Sequence, residues 1–267
     1  GRTINFGYGE CDGPNTWPEE FSTCGGHLQS PININLAKSI HLNKEYNLIM
    51  RNYDELPNSM TLRNSGKTVV IEAQWSSGKR PIIKGGILKG EYLFKEIHFH
   101  WGATIYEPSD HLINGYSFAL EMHLVHYKKK YGSFENAKDH DDGLAIIGYV
   151  FESGNEDNSF IQDIIDELPN ILNPSDTPVN LTPFKINKLA PRFNKDFATY
   201  KGSRTKPPCS EIVTWIVYLK PLTLSCSQVD GFRQIKDNDG NPLIRNFRPI
   251  QKLNGRKVFL VSKYFFY

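Results

Sequence analysis

The sequence predicts a mainly β fold of the α+β type, with a few short helices. Turn signals recur at short intervals: Asn64-Ser65-Gly66, Ser77-Gly78, Gly85-Gly86, Asn114-Gly115, Ser153-Gly154-Asn155 and Asn238-Asp239-Gly240-Asn241. Between them lie short runs rich in β-branched and aromatic residues, the composition that suits a pleated, half-buried surface. Only two stretches carry a helical signature.

Taken in chain order, strands are predicted at Thr68–Ala73, Tyr92–Trp101, Tyr116–Tyr127, Leu144–Glu152, Ile212–Leu219 and Val258–Tyr264. The residues between His100 and His123 are polar and include Pro108, Asp110 and Asn114-Gly115, so they read as a loop leading into a hairpin partner strand. Ser159–Leu168 has apolar residues at Phe160, Ile161, Ile164, Ile165 and Leu168, the period of a helix, and Pro169 stops it. Ser225–Ile235 opens with Ser225-Cys226-Ser227-Gln228, a capping-box pattern. The 267 residues suit one large domain or two small ones, and no repeat, low-complexity tract or linker divides them.

Hydrophobic residues make up 39% and aromatics 12%, enough for a sizeable core. The formal net charge of +2 argues against a nucleic-acid partner, and no apolar run approaches the ~20 residues that span a bilayer. The opening residues do not read as a signal peptide. Four cysteines, Cys11, Cys24, Cys209 and Cys226, are even in number and widely spaced. That suits disulfides in an oxidising compartment, or alternatively four buried thiols, and spacing leaves all three pairings open. Asn180-Leu181-Thr182 is a glycosylation sequon, used only if the chain is secreted.

The chemistry concentrates in His98-Phe99-His100-Trp101-Gly102 and Glu121-Met122-His123. Residues two apart on a strand share a face, so His98 and His100 point together, as do Glu121 and His123. If the two strands are neighbours, three imidazoles converge. Three neutral nitrogen donors with a fourth position open is the arrangement of a catalytic zinc site. Phe99 and Met122 then point into a core, while Glu121 and Glu96 share the metal face and can orient ligand imidazoles. His126 lies on the opposite face and reads as a buried histidine with a hydrogen bond. His27, His41, His111 and His140 sit among loop residues and read as solvated. Asp139-His140-Asp141-Asp142 reads as a solvated acidic turn, and Lys128-Lys129-Lys130 as an exposed hairpin end.

These residues resemble an α-class carbonic anhydrase of the secreted type, along nearly the whole chain. The matches begin at Gly7-Tyr8-Gly9, Gly13-Pro14, Trp17, Gln29-Ser30-Pro31-Ile32 and Lys84-Gly85-Gly86. They continue through Phe99-His100-Trp101-Gly102, Glu121-Met122-His123-Leu124-Val125-His126 and Asp142-Gly143-Leu144-Ala145. They end with Thr205-Lys206-Pro207-Pro208, Glu211, Val213-Thr214-Trp215 and Asn246-Phe247-Arg248-Pro249. The resemblance implies one domain over 1–267, built on a large, twisted, mostly antiparallel sheet with the metal at the base of a conical cleft. It implies Zn2+ on His98, His100 and His123, with Glu121 supporting His123 and the Asn246 carbonyl supporting another ligand. It implies reversible hydration of carbon dioxide to bicarbonate through zinc-bound hydroxide, oriented by Thr205, and inhibition by sulfonamides and anions. Val125, Leu144, Ile146 and Trp215 would line the apolar wall for carbon dioxide. Secreted members carry a disulfide at the positions of Cys24 and Cys209, which would leave Cys11 and Cys226 for a second bridge. That places the protein outside the cell, with Asn180 as a glycosylation site.

The chain departs from the family pattern at the site's edge. Asp110 stands where a glutamate usually receives the Thr205 hydrogen bond, one methylene short. Either the loop shifts inward or Thr205 is less well aligned. Lys67 stands at the proton-shuttle histidine, and a free lysine offers little neutral amine at pH 7. Arg204 and Lys206 flank Thr205 and, with Lys67, would make the cleft mouth cationic, favouring bicarbonate and other anions. Moderate speed is the expected result. Two other readings stay open: a catalytically weak relative that keeps zinc as a binding or matrix protein, and an unrelated zinc hydrolase such as an esterase.

Overall fold

The β-branched and aromatic runs do form strands, and most of them pair into one sheet. The computed structural model describes residues 5–263. Among the described residues, fourteen strands form in chain order. They are β1 (Asn33–Ile34), β2 (Ile40–His41), β3 (Leu48–Arg51), β4 (Ser59–Asn64), β5 (Val69–Gln74), β6 (Ile82–Gly85) and β7 (Tyr92–Trp101). There follow β8 (Leu112–Ile113), β9 (Leu120–Lys128), β10 (Leu144–Gly154), β11 (Val179–Asn180), β12 (Phe197–Gly202), β13 (Val213–Ser225) and β14 (Phe259–Val261). The main sheet runs β11-β4-β5-β7-β9-β10-β13-β12-β14-β2, with β6 joining β7 and β3 joining β6. Its pairs are antiparallel except β10/β13 and β14/β2. The predicted mainly β, single-domain architecture with a large and mostly antiparallel sheet is the one formed.

Alternation along β7, β9 and β10 sends side chains into two cores, one on each face. Phe99, Met122, Ala145 and Ile147 belong to the larger. Val125, Leu144, Ile146 and Trp215 belong to the other, on the imidazole face. The β7/β9 register sets His98 directly opposite His123, and His100 opposite Glu121. The His100–His123 connection is a loop, broken only by β8, and it returns the chain to an antiparallel neighbour as predicted.

Helices are few and peripheral: α1 (Trp17–Glu20), α2 (Phe134–Ala137), α3 (Ser159–Glu167), α4 (Ile186–Leu189) and α5 (Cys226–Arg233). Asn158 caps α3 by accepting from the amides of Phe160 and Ile161. The α-helix ends at Glu167 with Leu168 as its C-cap, just before Pro169 as predicted, and the chain continues in a 3-10 turn over Leu168–Ile171 whose first turn accepts the proline's missing N–H. Ser225 and Gln228 form both halves of the capping box on α5. Ser225→Ala is expected to lower stability by about 1 kcal/mol, the usual worth of such a cap. A urea unfolding midpoint equal to that of the parent would show that the cap contributes nothing.

Some boundaries differ from expectation. Tyr116–Ala119 is not strand, because Asn114 and Gly115 turn the chain at positive φ and leave Tyr116 exposed. β13 runs on to Ser225, since a register shift against β10 near Tyr149 and Phe151 lets pairing continue as far as the α5 cap. β14 covers only Phe259–Val261, and residue 264 of the predicted segment lies outside the described residues. Lys128 is not an exposed hairpin end: its side chain is buried and ion-paired with Asp142, which also accepts from the Tyr131 hydroxyl. No helix among the described residues is long and apolar enough to cross a membrane.

Candidate metal centre

His98 and His100 come from β7 and His123 from β9, and all three side chains are buried. Each ring is oriented by one hydrogen bond to a nitrogen that faces away from the others. His98 Nδ1 lies 3.3 Å from Glu96 Oε1, His100 Nδ1 lies 2.8 Å from the Asn246 carbonyl oxygen, and His123 Nε2 lies 2.8 Å from Glu121 Oε1. The acceptors are carboxylate or carbonyl oxygens, so these three nitrogens carry the protons. That leaves lone pairs on His98 Nε2, His100 Nε2 and His123 Nδ1.

Those three atoms converge. His98 Nε2 and His123 Nδ1 are 3.3 Å apart, and the three histidines together offer donors within 4.8 Å of one another. His100 Nε2 is buried without any hydrogen-bond partner. Desolvation by burial pushes all three imidazoles toward the neutral form that ligation needs. A neutral, convergent set of three nitrogens with one orphaned lone pair fits Zn2+.

Glu121 is the hub of a second layer. Its Oε1 also lies 2.7 Å from His111 Nδ1, and its Oε2 accepts from the His111 amide at 2.7 Å. His111 Nε2 in turn meets the Tyr200 hydroxyl at 2.7 Å, and that hydroxyl lies 2.9 Å from Ser30 Oγ. Burial alone would raise the Glu121 pKa, but His111 and His123 outweigh it and hold the carboxylate well below its usual range. Gly148 faces His123 across β9/β10, and a Cβ there would stand 3.3 Å from Glu121 Oε1. A side chain at that point would crowd the carboxylate.

His111 corrects the sequence reading: it is fully buried and hydrogen-bonded, not solvated. No spacing signal marked it, because its partners Glu121 and Tyr200 meet it only through the fold. Of the other loop histidines, His27 and His140 are exposed and His41 is partly buried, while His126 is buried against Tyr53 and the Leu124 carbonyl.

Thr205 and Asp110 are both buried beside the triad. Asp110 Oδ1 accepts from the Arg248 amide at 2.8 Å. Its Oδ2 has no hydrogen-bond partner and stands 3.7 Å from His100 Nδ1 and 3.9 Å from His123 Nε2. The Thr205 hydroxyl favours the charged form of this carboxylate, although Oδ2 makes no formed hydrogen bond. Asp110 adopts a φ of 151°, a conformation rarely taken by residues with side chains. Burial and the neighbouring Glu121 charge push its pKa well up.

The apolar wall is a cross-strand row. Val125 pairs with Ile146, and Ile146 with Trp215, while Leu144 sits two residues from Ile146 on the same face. The Trp215 ring packs 4.8 Å from that of His123, and its Nε1 donates to the Ser203 carbonyl at 2.9 Å. Arg204 and Lys206 flank Thr205 and are partly buried. Lys67 does not join them. Its ammonium lies 5.1 Å over the Phe6 ring and faces Asp12, Asp237 and Asp239.

Cys24 and Cys209 are joined by a disulfide, which ties the N-terminal segment to the loop that carries Thr205. The same junction is reinforced by Arg248, whose guanidinium donates to Gln29 Oε1, the Ser30 carbonyl and the Cys24 carbonyl at 2.7–2.9 Å. The suggested second bridge does not form: Cys11 and Cys226 are free and exposed. They sit in separate surface segments, and an even cysteine count does not bring two sulfurs together. Asn180 is exposed on β11.

The sequence matches the family described as eukaryotic-type carbonic anhydrase over residues 12–262. The chain belongs to that family. Carbonic anhydrase 7 of Mus musculus is 36% identical over 258 residues, covering 95% of this chain and 96% of the relative. Carbonic anhydrase 3 of Bos taurus is 35% identical over 260 residues, with the same coverage. Mitochondrial carbonic anhydrase 5A of Rattus norvegicus is 37% identical over 247 residues, covering 91% of this chain and 79% of the relative. The chain is therefore a carbonate dehydratase, a lyase whose cofactor is zinc, and the triad is where the metal fits. The expectation of a secreted, extracellular protein does not stand, because these relatives include a mitochondrial enzyme and none is named as secreted. Two sulfurs close enough to bond report local geometry rather than the compartment in which the chain works. With secretion withdrawn, the Asn180 sequon loses its support.

Proposed function

We propose that the protein hydrates carbon dioxide reversibly to bicarbonate and a proton at the His98/His100/His123 centre, at a speed limited by proton release. The observation that carries this is the set of three hydrogen bonds that the rings donate to Glu96, Asn246 and Glu121, which turn three lone pairs toward one point. Zinc bound there supplies a Lewis acid that brings a water molecule to ionise near neutral pH, the established chemistry of this family. Thr205 orients the attacking oxygen: with its own proton directed at Asp110, its lone pairs remain to accept a hydrogen bond from that oxygen. Val125, Leu144, Ile146 and Trp215 offer an apolar surface for an apolar gas. Metal analysis joined to a hydration assay tests this, with about one zinc per chain and sulfonamide-sensitive turnover expected. Zinc without turnover would favour the binding or matrix role.

Lys67 explains the limit on speed. Burial lowers its pKa, and Asp12, Asp237 and Asp239 offset only part of that; a lysine amine starts from a pKa of about 10.4, so it stays largely protonated at pH 7. A group that keeps its proton cannot relay one. Lys67→His should raise turnover in weak buffer by about 10-fold or more, and leave kcat/KM unchanged. Equal turnover for the two proteins at low buffer would mean that proton release is not the slow step.

A further inference from the structure

We propose that a cleft on the solvent side of β4 and β5 binds one pyranose unit of a saccharide, with Trp75 as its stacking platform. The cleft measures about 350 Å³, at the small end of the range for ligand sites. The inference does not depend on the hydration reading, because neither the metal ligands nor the residues of the apolar wall line this cleft.

Strand register builds its floor. Ser59 stands opposite Gln74 and Thr61 opposite Glu72 across β4/β5, so these four side chains share one side of the sheet. Met60, Leu62 and Ile71 alternate with them and turn into the larger core. Val70 pairs with His98 on β7, and Glu72 lies two residues beyond Val70. The cleft therefore occupies the imidazole side of the sheet, farther along β5. Trp75, Arg80 and Lys95 complete its walls.

Those walls are held in place without a ligand. Lys95 Nζ lies 2.7 Å from Glu72 Oε1, and Arg63 Nε lies 3.6 Å from Glu72 Oε2. Arg80 donates from Nη1 to the Tyr127 hydroxyl at 3.1 Å, and its carbonyl accepts from Asn52 Nδ2 at 3.1 Å. Beside Trp75, Asn58 and Ser76 exchange hydrogen bonds at 3.1 and 3.2 Å. The Asn58 amide also donates to the Gln74 carbonyl at 2.7 Å.

Two features call for a ligand with an apolar face and several hydroxyls. Trp75 is half-buried, its ring meets Phe94 edge to face at 5.3 Å, and its Nε1 donates to the Glu55 carbonyl at 3.1 Å. With its N–H spent, it offers the cleft only ring carbon. By contrast, the Ser59 and Thr61 hydroxyls and the Gln74 side-chain amide have no hydrogen-bond partner among the described residues. A pyranose presents C–H groups on one face, which pack on an aromatic ring, and hydroxyls at its rim, each able to donate and to accept. Glu72 keeps lone pairs for such hydroxyls after meeting Lys95. A flat aromatic ligand would satisfy Trp75 and leave the hydroxyls and the amide unmet. A small anion would find Lys95 already paired.

The probes are the methyl glycosides of glucose, galactose, mannose and N-acetylglucosamine, titrated into the zinc-loaded protein and followed by saturation transfer from protein to sugar. At least one should bind with a Kd on the order of 1–10 mM, the range open to a ligand of this size. Its binding should quench tryptophan emission, because Trp17, Trp101 and Trp215 are buried and Trp75 is partly exposed. Ser59→Ala and Gln74→Ala, both at exposed positions, should each weaken binding by about fivefold. Trp75→Leu should abolish it, and the two exposed variants keep the test decisive if that protein does not fold. No binding by any of the four glycosides up to about 50 mM, or a Ser59→Ala, Gln74→Ala double variant that binds like the parent, would overturn the proposal. So would loss of sugar binding when trifluoromethanesulfonamide occupies the metal, which would place the sugar in the catalytic cleft. Hydration measured on the same preparations separates the two readings. Sugar binding without turnover removes only the catalytic reading, and turnover without sugar binding removes only the saccharide site.

Discussion

Replacing Glu121 with glutamine is expected to weaken zinc binding by about 10- to 100-fold, the usual cost of removing a carboxylate that supports a ligand imidazole. Glu121 Oε1 receives both His123 Nε2 and His111 Nδ1, and Oε2 receives the His111 amide. A carboxylate can accept from all three. A glutamine of the same size must turn its NH2 toward at least one of these donors, leaving two donors face to face in a buried site. His123 escapes by moving its proton to Nδ1, the atom needed by the metal. Competition with a chelator of known affinity reads the effect directly. Zinc affinity within twofold of the parent would show that His123 is oriented by packing against Trp215 and not by Glu121.

Thr205→Val is expected to lower kcat/KM for hydration by about 100-fold while zinc affinity stays unchanged, the scale of loss when a reacting group is no longer held in place. Valine keeps the volume and removes the hydroxyl that, on the proposed reading, orients the attacking oxygen. The structure makes this substitution informative, because Asp110 Oδ2 has no formed hydrogen bond while the Thr205 hydroxyl still favours the charged form of that carboxylate. Asp110→Asn separates the contributions. If Thr205 works through the carboxylate, the two single variants and the double variant should fall to similar rates. Additive losses would mean that Thr205 orients the oxygen without Asp110, and an unchanged rate for Thr205→Val would exclude the hydroxyl from the reaction.

The histidine pairs were legible because alternation along an extended chain is local. His98 and His100 share a face whatever their neighbours do, and the same holds for Glu121 with His123. The two longer helices were legible too, since the caps at Asn158 and Ser225 and the apolar spacing of α3 act within a few residues. Less accessible was everything that depends on distant partners. The carbonyl that orients His100 comes from Asn246, 146 positions along the chain, and the family resemblance pointed to it where spacing could not. His111 was misread because its neighbours in sequence are loop residues, whereas its neighbours in space are Glu121 and Tyr200. Lys128 was misread for the same reason, through its pairing with Asp142. The cysteine count suggested two bridges and could not show that only Cys24 and Cys209 meet.

Residue order alone thus settled which side chains could serve a metal and that they would ride on strands, because period-two geometry needs no partner. Folding settled where the protons sit on those rings and which distant groups hold them there. These depend on contacts between strands and loops far apart in the chain, where a shift of one methylene or one register position decides whether two polar groups meet.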